Sequence, residues 1–270
     1  MGRNKIDRTG ETNISNEGRV MKIVKYSDAN NIIIEFQDEY RYKVHTDYSN
    51  FKKGRCKNPF YPSVYGHGYL GLDKNGNVSK TTGLKDGKWV QTWKYRKWQG
   101  MLQRCFDNKY KERNPTYKNV TCCNRWLCFA NFLEDLEALK KEYNWSENET
   151  LNLDKDILHK GNKIYSLENC VLVPQWINTL FIKCDASRGQ YPVGVSYHKR
   201  DRKYQACCSV NGEYVNLGYY NTIEQAFNTY KIAKEQEIKR VAEECVSKGY
   251  MAKDSRLYKA MISYQIGITD

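Results

Sequence analysis

The chain has 270 residues, and its 44 Lys and Arg outnumber its 31 Asp and Glu, which gives a formal net charge of +13. This length allows two or three small domains, each with a modest core. No apolar run approaches the ~18 residues of a membrane helix, and MGRNKIDRTG lacks the apolar region of a signal peptide. We therefore expect no membrane association, and the excess positive charge favours a polyanionic partner.

The charge is unevenly distributed along the chain. Residues 71–125 carry thirteen Lys and Arg and four Asp and Glu, a local net charge of +9. Residues 126–185 carry six Lys and Arg and ten Asp and Glu, a local net charge of −4. The basic segment suits contact with phosphate groups, and the acidic segment suits a bound cation.

Ten cysteines include the adjacent pairs Cys122-Cys123 and Cys207-Cys208, which do not fit a secreted disulfide framework. The pattern predicts a reduced, cytoplasmic protein. Five cysteines of the central region are candidates for a structural zinc site: Cys105, Cys122, Cys123, Cys128 and Cys170. Because none of them forms a C-x-x-C pair, buried small apolar side chains are the favoured interpretation and zinc is the minor one.

The first part of the chain is predicted to be β-rich. The runs RVMKIVKY, NIIIEF and YRYKVH are separated by Asp, Asn and Glu turns, which predicts a small SH3-like sheet or barrel within residues 1–70. Its basic edge contains Lys52, Lys53, Arg55 and Lys57. That edge is either an auxiliary DNA-binding surface or the solvated side of a folded spacer.

Two helices are predicted after residues 59–92, a Gly-, Pro- and Tyr-rich segment of hairpins or loops. The first begins at Trp93 and has a buried stripe at Trp98, Met101, Leu102, Cys105 and Phe106. The second extends over about residues 129–143. Three basic residues lie off the first stripe, Arg96, Lys97 and Arg104. They are candidate phosphate contacts, although Arg104 is equally suited to an ion pair with an acid of residues 134–142.

Residues 151–181 are predicted to form a hairpin followed by a short helix. The strands take their apolar residues from Leu151, Leu153, Ile157, Val171 and Val173. A Gly161-Asn162 pair lies in the connection. Helical spacing follows Pro174 at Ile177, Leu180 and Phe181. A hairpin packed on one helix is the ββα-metal shape, which holds one divalent ion against a phosphate.

This stretch resembles phage-type HNH homing endonucleases, whose pattern is roughly L-D-R-x-D, G-N-x-Y, E-N-C, Q and N. The matching residues are Leu153, Asp154, Lys155, Gly161, Asn162, Tyr165, Glu168, Asn169, Cys170, Gln175 and Asn178. The segments W-x-x-M-L-x-R-C and C-N-R-W-L-x-F-x-N-F resemble the region that precedes the hairpin in this subgroup. The resemblance implies a ββα-metal module within residues 71–186, with the preceding helices as supports.

The resemblance also implies roles for individual residues. Asp154 and Asn178 would bind one Mg²⁺ or Mn²⁺, and Asn169 would brace the hairpin loop. Lys155 occupies the position of the family's general-base histidine, but an ordinary lysine is protonated at neutral pH and only stabilises charge. Asp156 is a candidate base or second metal ligand, since a regular strand would place it on the face of Asp154. His159 is a candidate base or a surface histidine.

The C-terminal part is predicted to contain a three-stranded antiparallel sheet and a helix within residues 187–246, followed by a tail, residues 247–270. Asn211-Gly212 between two alternating runs predicts a hairpin. Thr222 and Gln225 form a capping box that starts the helix. The predicted inner face of the sheet consists of Val195, Tyr204, Ala206, Cys208 and Leu217.

This part resembles the apetala/ethylene-response-factor type DNA-binding domain. The matching residues are Gly194, Val195, Lys203, Tyr204, Ala206, Leu217, Gly218, Tyr220, Thr222, Glu224, Ala226, Tyr230 and Ala233. The resemblance implies that the outer face lies in the major groove, where candidate base contacts are Ser196, His198, Gln205, Ser209, Tyr214 and Asn216. Candidate phosphate contacts around the turn are Lys199, Arg200, Arg202 and Lys203. A purely structural sheet is the alternative.

Taken together, these features predict an α+β, multidomain, metal-dependent endonuclease that nicks or cleaves double-stranded DNA at a site chosen by the C-terminal domain. If the chain is phage-encoded, we expect it in the host cytoplasm. Two alternatives are left open. One is a catalytically silent HNH-fold protein that binds DNA for a regulatory purpose, and the other is a phage effector that binds a host protein.

Overall fold

The protein is described by a computed structural model that covers residues 6–146, 149–181 and 190–270. It is a mixed α+β structure with several separate sheets, which confirms the predicted class; the SH3-like and HNH-like identities of its modules stay predictions. The strands are β1 Thr12–Ile14, β2 Val20–Asp28, β3 Asn31–Phe36, β4 Lys43–Thr46, β5 Thr82–Lys85, β6 Lys88–Gln91, β7 Thr121–Cys122, β8 Leu151–Asp154, β9 Ile164–Tyr165, β10 Val171–Pro174, β11 Val195–His198, β12 Lys203–Val210 and β13 Glu213–Tyr220. The helices are α1 Tyr48–Lys52, α2 Trp93–Phe106, α3 Asn108–Arg113, α4 Phe129–Lys141, α5 Gln175–Thr179, α6 Ile223–Ser247 and α7 Arg256–Ile262. Across the described ranges, no helix combines the length and apolar character needed to cross a membrane.

By internal contacts the chain divides into two compact units. The first comprises Met1–Lys118 with Cys122–Leu133, and the second comprises Asn119–Thr121 with Glu134–Asp270. The units are described separately below.

The first unit begins with an antiparallel sheet whose strands are ordered β1-β2-β3-β4. Alternation along β3 buries Ile32, Ile34 and Phe36 on one face of this sheet. Phe51 of the short helix α1 packs into the same core. Asp47 caps that helix by accepting a hydrogen bond from the backbone N–H of Asn50 at 2.7 Å. The β-rich character predicted for this part of the chain is therefore observed.

Helix α2 forms the apolar stripe that its sequence predicts. Trp98, Met101, Leu102 and Cys105 are buried, whereas Phe106, the last residue of the predicted stripe, is only half-buried and stacks on His67. The indole N–H of Trp98 donates to the backbone carbonyl of Trp126 at 2.8 Å, which satisfies the only polar atom of the buried indole. This stripe is structural core, as expected from its spacing.

The second unit contains the predicted hairpin and short helix. Strand β8 pairs antiparallel with β10, so that Leu151 lies opposite Pro174 and Asp154 lies opposite Val171. Helix α5 begins at Gln175, directly after the proline. The connection between β8 and β10 contains β9, and the N–H of Thr121 donates to the Lys163 carbonyl beside it at 2.8 Å. The two strands are therefore joined by a long connection that contains its own short strand, and not by a two-residue turn.

Helix α6 contributes to two hydrophobic cores of the second unit. Its first half packs Phe227 and Tyr230 against the sheet β11-β12-β13, after a start at which the Thr222 hydroxyl accepts the N–H of Gln225. Its second half packs Ile238 and Val241 with the hairpin and α7. The latter core continues into the segment after residue 246, where its buried members are Met251, Leu257 and Met261.

Substituting Ile238 should separate this packing role from helix propensity. Ile238 is fully buried, whereas Ile232 on the same helix is 57% exposed. We expect Ile238→Ala to lower the free energy of unfolding by about 2–5 kcal/mol, because it leaves a cavity between α6 and the hairpin. Ile232→Ala should change it by less than about 0.5 kcal/mol. Urea denaturation measures both; equal effects would show that the α6–hairpin core contributes little.

Candidate functional site

Asp154 lies at the end of β8 and its side chain terminates the strand. Its Oδ1 accepts hydrogen bonds from the backbone N–H groups of Asp156 at 2.7 Å and Ile157 at 2.9 Å. The chain therefore turns after Asp154, and the regular strand through Asp156 considered from the sequence is not formed. Burial raises the pKa of Asp154, and the two N–H donors oppose that rise.

Asn178 lies three residues after Gln175 on α5, and Asp154 lies two residues after Asn152 on β8. The Asn152 side-chain amide donates to Gln175 Oε1 at 2.8 Å, which joins the strand to the start of the helix. Alternation along a strand puts residues i and i+2 on one face, and i,i+3 spacing puts two residues on one side of a helix. That the two predicted metal ligands share one side of the module stays a prediction from this spacing.

Lys155, in contrast, is buried and holds the loop that follows. Its ammonium group donates to Asp156 Oδ2 at 2.6 Å and to the Asn162 carbonyl at 2.9 Å. In return, Asn162 donates its amide to the carbonyls of Lys155 at 2.9 Å and Ile164 at 2.8 Å. These reciprocal bonds fix the loop, and they assign Lys155 a structural and charge-stabilising position.

The other candidates of the hairpin lie in or beside the same loop. His159 is exposed, and its carbonyl accepts the N–H of Asn162 at 2.9 Å. Asp156 is also exposed but pairs with Lys155. Asn169 donates its side-chain amide to the Ile164 carbonyl at 3.5 Å, a contact suited to bracing the loop.

Two residues that sequence reasoning missed support this site from the far end of the chain. Arg256 of α7 donates to the carbonyls of Leu167 at 3.1 Å and Glu168 at 2.8 Å, in the segment that leads into β10. Tyr264 packs edge-on against Phe181, with ring centroids 4.9 Å apart. Burial and nearby carboxylates, among them Asp154, raise the pKa of Tyr264 to about 12. No local pattern around either residue points to the hairpin.

The ligand chemistry at the hairpin fits a hard divalent ion. The carboxylate of Asp154 and the amide of Asn178 supply oxygen donors, which Mg²⁺ and Mn²⁺ prefer. Within the part of the chain that the structure describes, no group of three or more His, Cys, Asp or Glu is placed to hold a metal ion. A site with only two protein ligands is smaller than such a group, so the magnesium or manganese site stays a prediction.

Two of the central cysteines are in contact. Cys105 and Cys122 share a hydrogen bond that, together with burial, raises the pKa of Cys122. A structural zinc site at the central cysteines stays the minor prediction.

The C-terminal sheet presents the face that the sequence predicts as outward. Val195, Ala206 and Cys208 are buried against α6, and Tyr204 and Leu217 pack against the same core. Directly opposed residues share a face, and the register pairs Ser196 with Gln205, His198 with Lys203, Cys207 with Asn216, and Ser209 with Tyr214. The candidate base contacts therefore form one surface, with Cys207 buried beside the exposed Tyr214.

A β-bulge adds one residue to this surface that the sequence analysis missed. Gly218 lies opposite Ala206 and Asn216 lies opposite Cys207, so Leu217 is the extra residue of β13. The bulge reverses the alternation, which brings Tyr219 onto the outer face opposite Gln205. The ring of Tyr219 is 41% exposed and lies 5.3 Å from the ring of His198.

The turn between β11 and β12 is basic, and its one acidic residue, Asp201, contacts two of its neighbours. Asp201 accepts a hydrogen bond from Arg200 Nε at 2.9 Å and lies 3.2 Å from His198 Nδ1. The bond to Arg200 is the main cause that lowers the pKa of Asp201. Lys199, Arg202 and Lys203 are exposed around the same turn. The positions suited to phosphate contact are therefore open to solvent.

Helix α2 of the first unit carries a second basic cluster. Burial lowers the pKa of Lys97, and the positive charges of Arg104 and Arg96 lower it further. Lys97 therefore lies near both arginines. Arg104 also lies over Tyr117, with its guanidinium carbon 6.0 Å from the ring centroid.

A groove of about 1030 Å³ connects the two candidate surfaces of the second unit. It is lined by Gln175 and Thr179 of α5, by Asn211 at the β12–β13 turn, and by Lys234 and Glu237 of α6. Glu237 is buried and accepts the N–H of Asn211 at 2.9 Å, so α6 fixes the turn that sets the sheet register.

The charge of Glu237 should make the stability of the fold depend on pH. Hydrogen bonds from Arg240, and then from the Asn211 N–H, lower the pKa of Glu237. A lowered folded-state pKa stabilises the fold above the unfolded value of about 4.3, and this stability is lost as pH falls through the folded value. We expect Glu237→Gln to cost about 1 kcal/mol at pH 7 and progressively less below about pH 4.

Thermal unfolding of the wild type and Glu237→Gln at pH 7, 5 and 3.5 measures this difference. Glu224→Gln, on the exposed first turn of the same helix, is the matched control. A difference between wild type and Glu237→Gln that stays constant with pH would contradict the charge-based account.

Comparisons of the chain with protein-family models, with curated proteins and with solved structures gave no match. The resemblances to HNH endonucleases and to the apetala/ethylene-response-factor domain therefore stay predictions. What the site does is inferred from the residues and geometry of this chain alone.

Proposed function

We propose that the chain is a DNA endonuclease of the phage homing type, which nicks or cleaves duplex DNA with one Mg²⁺ or Mn²⁺. The observation that carries the proposal is the hydrogen bond from Asn152 to Gln175, which joins the strand that contains Asp154 to the helix that contains Asn178. In this proposal, the C-terminal sheet and helix select the target.

The hairpin's own residues would hold the ion. Asp154 uses Oδ1 for two backbone N–H groups, and its other carboxylate oxygen would be the donor to the ion. Burial disfavours the charged carboxylate of Asp154 and so raises its pKa, and a bound cation would offset this effect. Such an ion, when bound, polarises a phosphate and stabilises the leaving oxygen.

His159 is the residue best suited to remove a proton from water. The ammonium group of Lys155 donates to two acceptors and has no lone pair to offer. Asp156 is engaged by that ammonium group. His159 lies in the loop that these bonds fix, it is exposed, and its imidazole offers a nitrogen that can accept a proton.

DNA binding is supported by two basic surfaces. The outer face of the sheet offers Gln205, Asn216 and Tyr219 as groups that can meet base edges, with Lys199 and Lys203 at its rim. The α2 cluster offers three further cations, Arg96, Lys97 and Arg104, and the positive charges of the two arginines contribute to lowering the pKa of Lys97. Phosphate contacts of this kind give affinity, and the sheet gives selection.

One observation favours a second candidate function, a DNA-binding protein that does not cut. Lys155 stands at the position of the base histidine and is committed to the loop by two hydrogen bonds. A scaffold that has lost its base would keep the fold and the DNA-binding surfaces. The host-protein effector considered from the sequence stays a prediction.

Cleavage assays with metal-ligand variants test the endonuclease proposal. We expect Asp154→Asn and Asn178→Ala each to lower the rate of Mg²⁺-dependent cleavage of phage or host DNA by about 100-fold or more, because the ion supplies several kcal/mol of stabilisation. Asp154→Asn keeps a side-chain oxygen for the turn, so its unfolding free energy should stay within about 1 kcal/mol of wild type. Agarose gels and end sequencing measure cleavage.

The exposed residues Asn228 and Asp254 provide matched controls as Asn228→Ala and Asp254→Asn, which should cleave like wild type. Cleavage that survives both metal-ligand substitutions would locate the chemistry elsewhere. DNA binding without cleavage under Mg²⁺ or Mn²⁺ would support the second candidate function instead.

The role of the sheet's rim can be measured through salt dependence. Each phosphate contact contributes about −0.9 to the slope of log K against log salt concentration. We expect the double variant Lys199→Gln, Lys203→Gln to reduce the slope by about 1.8. The matched control is Lys239→Gln, Lys259→Gln, two exposed lysines of α6 and α7. Equal slopes for the two double variants would argue against phosphate contact at the rim.

A further inference from the structure

The hairpin formed by β5 and β6 is an exposed two-stranded ribbon of the first unit. Its register pairs Thr82 with Gln91, Gly83 with Val90, Leu84 with Trp89, and Lys85 with Lys88. Asp86 and Gly87 form the turn with φ of 49° and 73°, both in the left-handed region. Two such residues give the tight turn whose twist matches paired strands.

One face of this ribbon is apolar and open. Leu84 is 67% exposed and Trp89 is 74% exposed, and the two side chains lie directly opposite each other. Thr82 and Gln91, two residues away on each strand, share their face and are also exposed. Single exposed apolar side chains are ordinary, but a paired Leu and Trp at a protruding tip are typical of a contact surface.

The opposite face carries two like charges at the tip. Lys85 and Lys88 are directly opposed across the strands and both are exposed. Like charges in this position destabilise an antiparallel pair, and a two-stranded ribbon has little stability to spare. Residues 79–94 contain four lysines and one aspartate, a local net charge of +3. A polyanion on the ribbon would remove the repulsion.

We infer that this hairpin is a further DNA contact, in which the ribbon enters a groove of the duplex. Leu84 and Trp89 would lie against sugars and base edges, and Lys85 and Lys88 would contact the flanking phosphates. A two-stranded ribbon fits the major groove, which is about 12 Å wide. The inference rests on the DNA binding proposed above but not on cleavage.

The charges favour DNA over a second copy of the chain as the occupant. A second copy would bring its own local charge of +3 to the first hairpin, within a chain of net charge +13, so like charges would oppose the association of two copies. Duplex DNA offers apolar sugar and base surfaces together with phosphates, which complements both faces of the ribbon.

Binding of the full chain to a 40-base-pair mixed-sequence duplex tests the inference. Fluorescence anisotropy over a KCl series, with EDTA present to prevent cleavage, gives affinity and salt slope. We expect Trp89→Ala to weaken binding at least about fivefold without changing the slope, because it removes an aromatic contact. The double variant Lys85→Gln, Lys88→Gln should reduce the slope by about 1.8. Ile232→Ala and the double variant Lys239→Gln, Lys259→Gln are the exposed controls and should match wild type.

The outcomes separate this inference from the proposed function. If wild type binds the duplex and both hairpin variants behave like their controls, the hairpin inference is overturned and DNA binding stands. If wild type does not bind duplex DNA even at low salt, the proposed function fails and the hairpin inference fails with it. If sedimentation shows a dimer that Trp89→Ala dissociates, the ribbon is a contact between copies and not a DNA contact.

Discussion

The second unit depends on the packing of helix α6 against both the C-terminal sheet and the β8–β10 hairpin. Helix α6 has 25 residues, so it is about 37 Å long. Phe227 and Tyr230 near its start pack against the C-terminal sheet, and Ile238 and Val241 near its end pack against the hairpin. Because a helix is stiff over this length, the strand that carries Asp154 and the sheet that faces outward are both positioned by a single element.

The same helix explains why the support of the candidate site comes from distant sequence. After α6, helix α7 returns to the hairpin, where Arg256 holds the carbonyls of residues 167 and 168. The following segment packs Ile266 into the sheet's core, and the Glu235 carboxylate accepts its N–H at 2.8 Å. Lys160, in the hairpin loop, bonds to the Gln265 carbonyl at 2.9 Å. Residues 247–270 therefore complete both cores, although their sequence reads as a tail.

The features that were predictable from the sequence are those set by local physics. The stripe of α2, the Asn211-Gly212 turn and the Thr222 cap follow from spacing and from backbone preferences that neighbouring residues decide. The bulge at Leu217 was not predictable, because pairing with β12 creates it, and it moved Tyr219 onto the outer face. Likewise, the end of β8 is set by a side-chain bond to the backbone, which periodicity does not report.

The loop after β8 is held by hydrogen bonds that occupy two of the candidate catalytic residues. A buried lysine needs hydrogen-bond acceptors, and Lys155 takes them from Asp156 and Asn162. Those bonds hold the loop in place, but they also occupy the only two charged groups next to Asp154 in sequence. In the endonuclease proposal, the proton-accepting role therefore falls to another group of the loop or to water. The proposal assigns it to His159, because the hydrogen bond from the Asn162 N–H holds its backbone while its side chain stays exposed to solvent. Under that proposal, Lys155 at the position of the histidine is compatible with catalysis only where a group other than Lys155 accepts the proton.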